Sequence, residues 1–431
     1  MPPEVSDVFE RERLWETVET LGAIGETADG GIVRVTGNDA DEAARDTVVG
    51  WFEDAGLDVS IDPVGNVVGR RSGRRDLPPV VTGSHLDTVP NGGRFDGAAG
   101  VLAALEVVRG WNDADVETDH PLDVVVFTEE EGTRFGTGLL GSLVASGALA
   151  PETALAFEDD TGRTLGEALE AIGYRGSASF DLTTAAAFVE LHVEQGPKLD
   201  DSGVPIGVVE SIAGITHHDV RIEGESDHAG NTPMDRRADA FMGAAQLART
   251  LEDTVREASE RTVGTVGRVE VSPNATNVVP GAVELGVDLR DPDGSRLDAV
   301  VSEVRREAEA IADRRGLGIE WETSLRIDPR EMDPAVIEAI ATAAEECGLR
   351  SRRMESGAGH DAMNAAPVVP SGMVFVPSED GVSHSPAEYT APAELHGGTE
   401  VLGQALRGLA ETEGALSSVD TPEGRPSGRT E

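Results

Sequence analysis

Residues 78–97 read PPVVTGSHLDTVPNGGRFDG. A short apolar run leads into His85 and Asp87, and a glycine-rich turn then brings Asp96. A strand whose apolar body ends in polar side chains suits an open α/β sheet, where ligands gather beyond the carboxyl ends of the strands. Two more segments are built the same way: LDVVVFTEEEG at 122–132 and FVELHVEQGP at 188–197. Residues 39–55, DADEAARDTVVGWFEDA, have the spacing of an amphipathic helix that stops at Gly56. Residues 1–214 therefore read as the first part of an α/β domain.

The pattern changes after Gly214. THHDVRIEG at 216–224, TVGRVEVS at 265–272, AVELGVDLR at 282–290 and LGIEWETSLRI at 317–327 alternate like half-exposed antiparallel strands. Helical spacing covers 236–258 and 294–315. Four strands with two helices predict an inserted α+β domain over 215–327. The first style resumes over 328–415, with a helix at 333–347 and the strand GMVFVP at 372–377. Residues 416–431 lack apolar spacing and are expected to form a disordered acidic tail. A length of 431 residues agrees with two domains, one split by the other.

Eighty acidic residues against 35 basic ones give a net charge of −45, and Lys198 is the single lysine. Such a surface repels phosphate backbones, which argues against a nucleic-acid partner. It suits a cytosol of very high salt, where screening removes self-repulsion. The expected result is a melting temperature that falls as KCl is dialysed away; an unchanged melt in salt-free buffer would contradict this halophilic reading. The lone Cys347 excludes an internal disulfide or a thiolate zinc cluster. No apolar run approaches the ~20 residues that span a bilayer, so no membrane association is expected. The acidic N-terminus lacks the basic and apolar regions of a secretory signal, which predicts a cytoplasmic protein.

Nine histidines are present, and three are read at strand ends beside acidic residues: His85, His192 in ELHVEQGP and His384 in GVSHSP. Asp96 and the run ending at Glu131 add carboxylates in matching settings. A lone histidine at a strand end is ordinarily a surface residue, by roughly 5 to 1. Five such residues in one fold outweigh that prior. Three imidazoles and two carboxylates suit zinc or a similar divalent ion. A carboxylate can bridge two ions, so Asp96 is assigned between them, with His85 and His192 on one and Glu131 and His384 on the other. Asp87, two residues from His85, is expected to accept the other ring N–H of that histidine. Gly92, Gly93 and Gly97 let the Asp96 loop approach closely. His120 and His396 lack this setting and are read as surface residues.

GSHLDTV, GGRFDG, EEEGTRF, LHVEQGP, DHAGNTPM, NVVPG, DLR, GAGHDAM and GVSHSP follow in that order. The set closely resembles the amidase/hydantoinase/carbamoylase group of the zinc aminoacylase–carboxypeptidase superfamily, over about residues 10 to 412. That group includes N-carbamoyl-L-amino acid hydrolases, allantoate amidohydrolases and β-ureidopropionases. The resemblance implies a metal-binding α/β domain interrupted by an α+β lid that dimerises, and two divalent ions per subunit. Zn2+ leads, with Mn2+, Co2+ or Ni2+ as alternatives. It implies a small ureido-carboxylate as substrate. It makes Glu130 the general base and Glu131 a ligand, the alternative register being Glu129 and Glu130. It makes His228 of the DHAG motif the oxyanion donor and Arg290 the carboxylate binder. Gln195 and Asn277 would hydrogen-bond the substrate, with backbone N–H groups of Gly357, Ala358 and Gly359 near its carboxylate and His360 and Asp361 supporting that loop. One departure is Ile215-Thr216-His217-His218, where the group often has a polar residue after the glycine; it suggests an apolar substrate side chain. Two competitors stand: a peptidase of the same superfamily, against which LHVEQGP argues, and a binding protein without catalysis, against which the full ligand set argues.

Overall fold

The computed structural model describes residues 8–412; the expected tail at 416–431 lies outside them. The chain divides into two compact units. One runs to Glu210 and includes Glu331–Met354 and the chain from Gly359 onward; the other comprises Ser211–Arg330 and Glu355–Ala358.

The first unit is built on a mixed sheet. Its strands follow the order Asp58–Ile61, Val67–Arg71, Leu122–Phe127, Val80–His85, Ala187–Val193, Ser371–Val376 and Ile206–Ile212. The four from Leu122–Phe127 to Ser371–Val376 are parallel to one another, and those flanking them are antiparallel. Every residue of the four is buried. That is why they read as continuous apolar runs rather than alternating ones. Each buried valine or leucine contributes roughly 1.5–3 kcal/mol of transfer free energy. Parallel pairing also puts all four carboxyl ends on one edge, and everything downstream depends on this. The helix Ala98–Asp113 begins just after Asp96 and is buried along most of its length, Trp111 included.

The second unit is an antiparallel sheet in the order Gly318–Ile327, Gly214–Glu223, Ala282–Asp291, Val263–Ser272. Helices Ala240–Ala258 and Gly294–Arg315 pack on it around a core that includes Val220, Leu247, Leu285, Leu289 and Val304. The first helix starts four residues later than the spacing at 236 predicts, because the Asp239 carboxylate accepts the Met242 N–H and caps it there. A two-stranded ribbon, Asp227–His228 with Val278–Val279, completes the unit. No helix among the described residues is long and apolar enough to cross a membrane.

Candidate metal centre

The carboxyl edge of the four parallel strands gathers the residues singled out by sequence. His85 ends its own strand, and the Leu122–Phe127 strand leads into Glu129–Glu131. His192 is the penultimate residue of its strand, and His384 follows the Ser371–Val376 strand after a loop. Gln195, Glu129 and His384 take left-handed backbone angles (φ 56, 55 and 53). Non-glycine residues rarely adopt that conformation, and such strain concentrates at functional sites.

Asp96 sits at the middle. Its Oδ1 is 3.5 Å from His85 Nε2 and 3.2 Å from His192 Nε2, and its Oδ2 is 3.2 Å from His384 Nε2. Glu131 Oε2 lies 3.5 Å from His384 Nε2. Two groups could thus hold a metal ion and share Asp96: His85, Asp96 and His192, and Asp96, Glu131 and His384. A further group of Glu190, His192 and His360 has the spacing too. There, however, Glu190 already accepts the Ser84 hydroxyl (2.7 Å) and the Ala362 N–H (2.9 Å).

The ring nitrogens test the fit to a cation. His85 Nδ1 bonds the Asp87 carbonyl and His192 Nδ1 the Val193 carbonyl, both at 2.9 Å. A carbonyl only accepts, so in each ring the hydrogen resides on Nδ1 and the Nε2 lone pair faces the cluster. His85 Nε2 is buried with no hydrogen-bond partner. A buried lone pair aimed at carboxylates is costly alone and suits a metal ion. Asp87 departs from expectation: its main chain, not its carboxylate, takes the ring N–H. The strand ends at His85, so the alternation that would align the two side chains stops there. The Asp87 carboxylate stands 3.8 Å from Nδ1 and instead accepts the N–H groups of Glu130 (3.3 Å) and Glu131 (3.1 Å). It thereby fixes the glutamate run to the His85 loop.

The three consecutive glutamates have three settings. Glu130 Oε2 lies 3.6 Å from His85 Nε2. Glu131 faces His384. Glu129 turns away, its Oε1 accepting the N–H groups of Arg134 and Phe135, both at 2.9 Å. Burial pushes the Glu130 carboxyl well above the usual range, with Glu131, Asp361 and Asp96 adding to it against the pull of His85. Burial, then Asp96, raises Glu131 to about 7. Hydrogen bonding to Asp96 raises His384 to about 9, against its burial. Burial would raise Asp96, but its imidazole neighbours, His192 foremost, hold it well below the usual range.

Gln195 Nε2 donates to Asp96 Oδ2 (2.7 Å) and is 3.3 Å from His384 Nε2. Gly97 allows the tight approach: a Cβ there would fall 2.4 Å from the His85 ring. His360 packs against His192 with ring centroids 4.4 Å apart. Sequence reasoning missed Glu388, Ser383 and Glu190, which hold the loops of this cluster. Their one signal is adjacency, since Ser383 and Glu388 flank His384 and Glu190 shares its strand with His192. Two histidines are corrected. His120 is buried rather than superficial, bonded through Nδ1 to the Pro78 carbonyl (2.7 Å), and His396 is half-buried with Nε2 3.0 Å from the Phe9 carbonyl.

In the second unit, His228 and Asn277 are neighbours: Val278 pairs with His228, and the Ala229 N–H donates to the Asn277 carbonyl (3.0 Å). His228 Nδ1 accepts the N–H groups of Gly230 (3.0 Å) and Asn231 (3.2 Å), which leaves the ring hydrogen on Nε2 as a donor. Arg290 is held along one edge by Asp288 (Nε 3.0 Å, Nη2 2.8 Å), and its Nη1 donates to the Gly357 carbonyl (2.9 Å). The Ala358 N–H donates to Ser356 Oγ (3.1 Å). Ile215 is buried opposite Arg290 on the neighbouring strand.

Comparison with known proteins agrees with this picture. The chain is 40% identical over 411 residues to an N-carbamoyl-L-amino acid amidohydrolase of Geobacillus stearothermophilus, covering 94% of this chain and 100% of that one. It is 36% identical over 409 residues to a ureidoglycolate hydrolase of Arabidopsis thaliana, covering 92% and 86%. A crystal structure of an amidase of the hydantoinase/carbamoylase family from Burkholderia multivorans superposes with a TM-score of 0.90 at 41% identity, over 93% of this chain and 98% of the other. The profile of peptidase family M20/M25/M40 matches residues 81–408. With a histidine–carboxylate cluster at the carboxyl edge of a split α/β unit and likeness to these proteins over most of its length, the chain belongs to peptidase family M20/M25/M40 and to its hydantoinase/carbamoylase amidases.

Proposed function

We propose that this chain is a binuclear metal-dependent amidohydrolase that removes the carbamoyl group of N-carbamoyl-L-amino acids. Water adds to the ureido carbonyl, the C–N bond to the amino acid breaks, and the products are the amino acid, ammonia and CO2. The observation that carries the reading is Glu130, a carboxylate only 10% exposed and 3.6 Å from His85 beside the shared Asp96, in a chain 40% identical to such an enzyme.

His85 and His192 would hold one ion and Glu131 and His384 the other, with Asp96 between them. Two divalent ions, Zn2+ first among the candidates, polarise the carbonyl and acidify water when bound. Glu130 takes the proton of the attacking water and delivers it to the leaving nitrogen. The Nε2–H of His228 donates to the developing oxyanion. Arg290 grips the substrate carboxylate, near the N–H group of Gly357 and that of Ala358 once it leaves Ser356 Oγ, while Asn277 and Gln195 hydrogen-bond the substrate. Asp288 already occupies the Nε edge of Arg290 and the Gly357 carbonyl takes one Nη1 hydrogen, so one hydrogen on each of Nη1 and Nη2 is left for a carboxylate. The second unit acts as lid and dimerisation surface, and the protein works in the cytoplasm. A second reading, a ureido acid such as ureidoglycolate or allantoate, is favoured by the 36% identical plant relative; the buried Ile215 beside Arg290 speaks for an apolar side chain instead.

The test is release of ammonia and amine in concentrated KCl with added Zn2+ or Mn2+. The panel is N-carbamoyl-L-amino acids, β-ureidopropionate, allantoate, ureidoglycolate and dipeptides. We expect N-carbamoyl-L-amino acids with apolar side chains to turn over fastest. Preference for allantoate would overturn the substrate assignment, and activity confined to dipeptides would overturn the reaction class.

A further inference from the structure

We propose that Glu388 is a positioning residue for the metal centre, its carboxylate clamping the Asp96 loop to the His384 loop. This rests on the metal-centre reading above. Glu388 is 4% exposed. Its Oε1 accepts the backbone N–H of Phe95 (2.8 Å) and of Asp96 (3.0 Å). Its Oε2 lies 2.9 Å from the Ser383 hydroxyl, which is also 2.9 Å from Asp96 Oδ2. The main chain closes around this side chain: a Cβ at Gly93 would fall 2.2 Å from the Glu388 carboxylate.

One side chain therefore fixes the backbone of Asp96 and holds Ser383, whose single hydroxyl hydrogen is shared between Glu388 Oε2 and one of the two Asp96 carboxylate oxygens. A bridging carboxylate has to keep each oxygen on its own side. Here Oδ1 faces His85 and His192 while Oδ2 faces His384. Sites of this kind tolerate displacements of only about 0.5 Å or 10–20°. The His384 loop does not supply that precision by packing, since His384 is half-exposed and left-handed in backbone. Glu388 replaces packing with hydrogen bonds, all directed at residues that carry or adjoin a ligand.

The experiment strips the full-length protein of metal, reloads it with Co2+ in concentrated KCl, and measures ions per chain, affinity by chelator competition and the visible Co2+ spectrum. Circular dichroism checks the fold. Glu388→Ala should weaken Co2+ binding about 10–100-fold, the usual cost of losing a partner that orients a ligand. Glu388→Gln should stay within about threefold of the parent, because its amide oxygen still accepts both N–H groups and its amide nitrogen donates to Ser383. Ser383→Ala, which leaves the two main-chain bonds intact, should lose about fivefold. Should Glu388→Ala misfold, the other two variants carry the test. Parental affinity in Glu388→Ala or in Ser383→Ala would overturn the clamp, as would Glu388→Gln falling to the alanine level. A parent chain that takes up no Co2+ would overturn the metal-centre reading itself.

Discussion

Glu130→Gln is expected to lower kcat on the preferred ureido substrate by about 10²–10⁴-fold, the range that one general acid–base contributes, with metal content unchanged. The substitution keeps size and shape while removing the negative charge and the ability to carry a proton. Glu130 is suited to that task by its surroundings. Burial and the neighbouring Glu131, Asp361 and Asp96 hold its carboxyl well above the usual carboxylate range. A base in that position can take a proton from water and return it near neutral pH, where an ordinary carboxylate is too weak a base. Glu129→Gln is the control, because the alternative register makes Glu129 the base. Its Oε1 accepts the N–H groups of Arg134 and Phe135, which an amide oxygen still does, so Glu129→Gln should leave both the fold and kcat close to the parent. Steady-state kinetics with metal analysis on both variants decides the point. A Glu130→Gln enzyme of parental kcat, or a folded Glu129→Gln enzyme without activity, would overturn the assignment.

Much of the frame was legible because burial writes itself into composition. Strands buried on both faces are mostly apolar, so Val80–His85, Leu122–Phe127 and Ala187–Val193 stood out, each leading into its chemistry at the carboxyl end. In the second unit, half-exposed strands such as Ala282–Asp291 alternate, and the alternation is plain in the sequence. Glu388 was not legible for the opposite reason. In a chain with 80 acidic residues, nearness to His384 does not set one carboxylate apart, and the N–H groups it binds are 293 and 292 positions away. The Asp87 expectation failed at a strand end, where period-two reasoning stops applying. His120 looked superficial because its partner, the Pro78 carbonyl, is a backbone atom that no side-chain pattern reveals.

Asp96→Asn is expected to leave at most one ion per chain and to reduce turnover by about 10³-fold or more. That scale follows from the several kcal/mol of transition-state stabilisation that a bound cation supplies, at 1.36 kcal/mol per decade. The argument is one of charge and valence. Asparagine offers one oxygen where the bridge needs two, and it removes the negative charge on which three imidazoles converge at 3.2–3.5 Å. An amide nitrogen turned toward His384 would point hydrogens at a lone pair that the second ion needs. One turned toward His85 and His192 would do the same on the other side. Either rotamer therefore keeps one half of the site and spoils the other. Of the two, the side facing Ser383 and Gln195 is the expected seat of the remaining oxygen, since the Gln195 Nε2 (2.7 Å) and the Ser383 hydroxyl (2.9 Å) are placed to donate there. The ion expected to survive is then the one beside Glu131 and His384, and the one held by His85 and His192 is lost. Metal analysis after dialysis, with and without a second substitution of His384 or His192, separates the two halves. Two ions retained in Asp96→Asn would remove Asp96 from the bridge and with it the binuclear reading of this cluster.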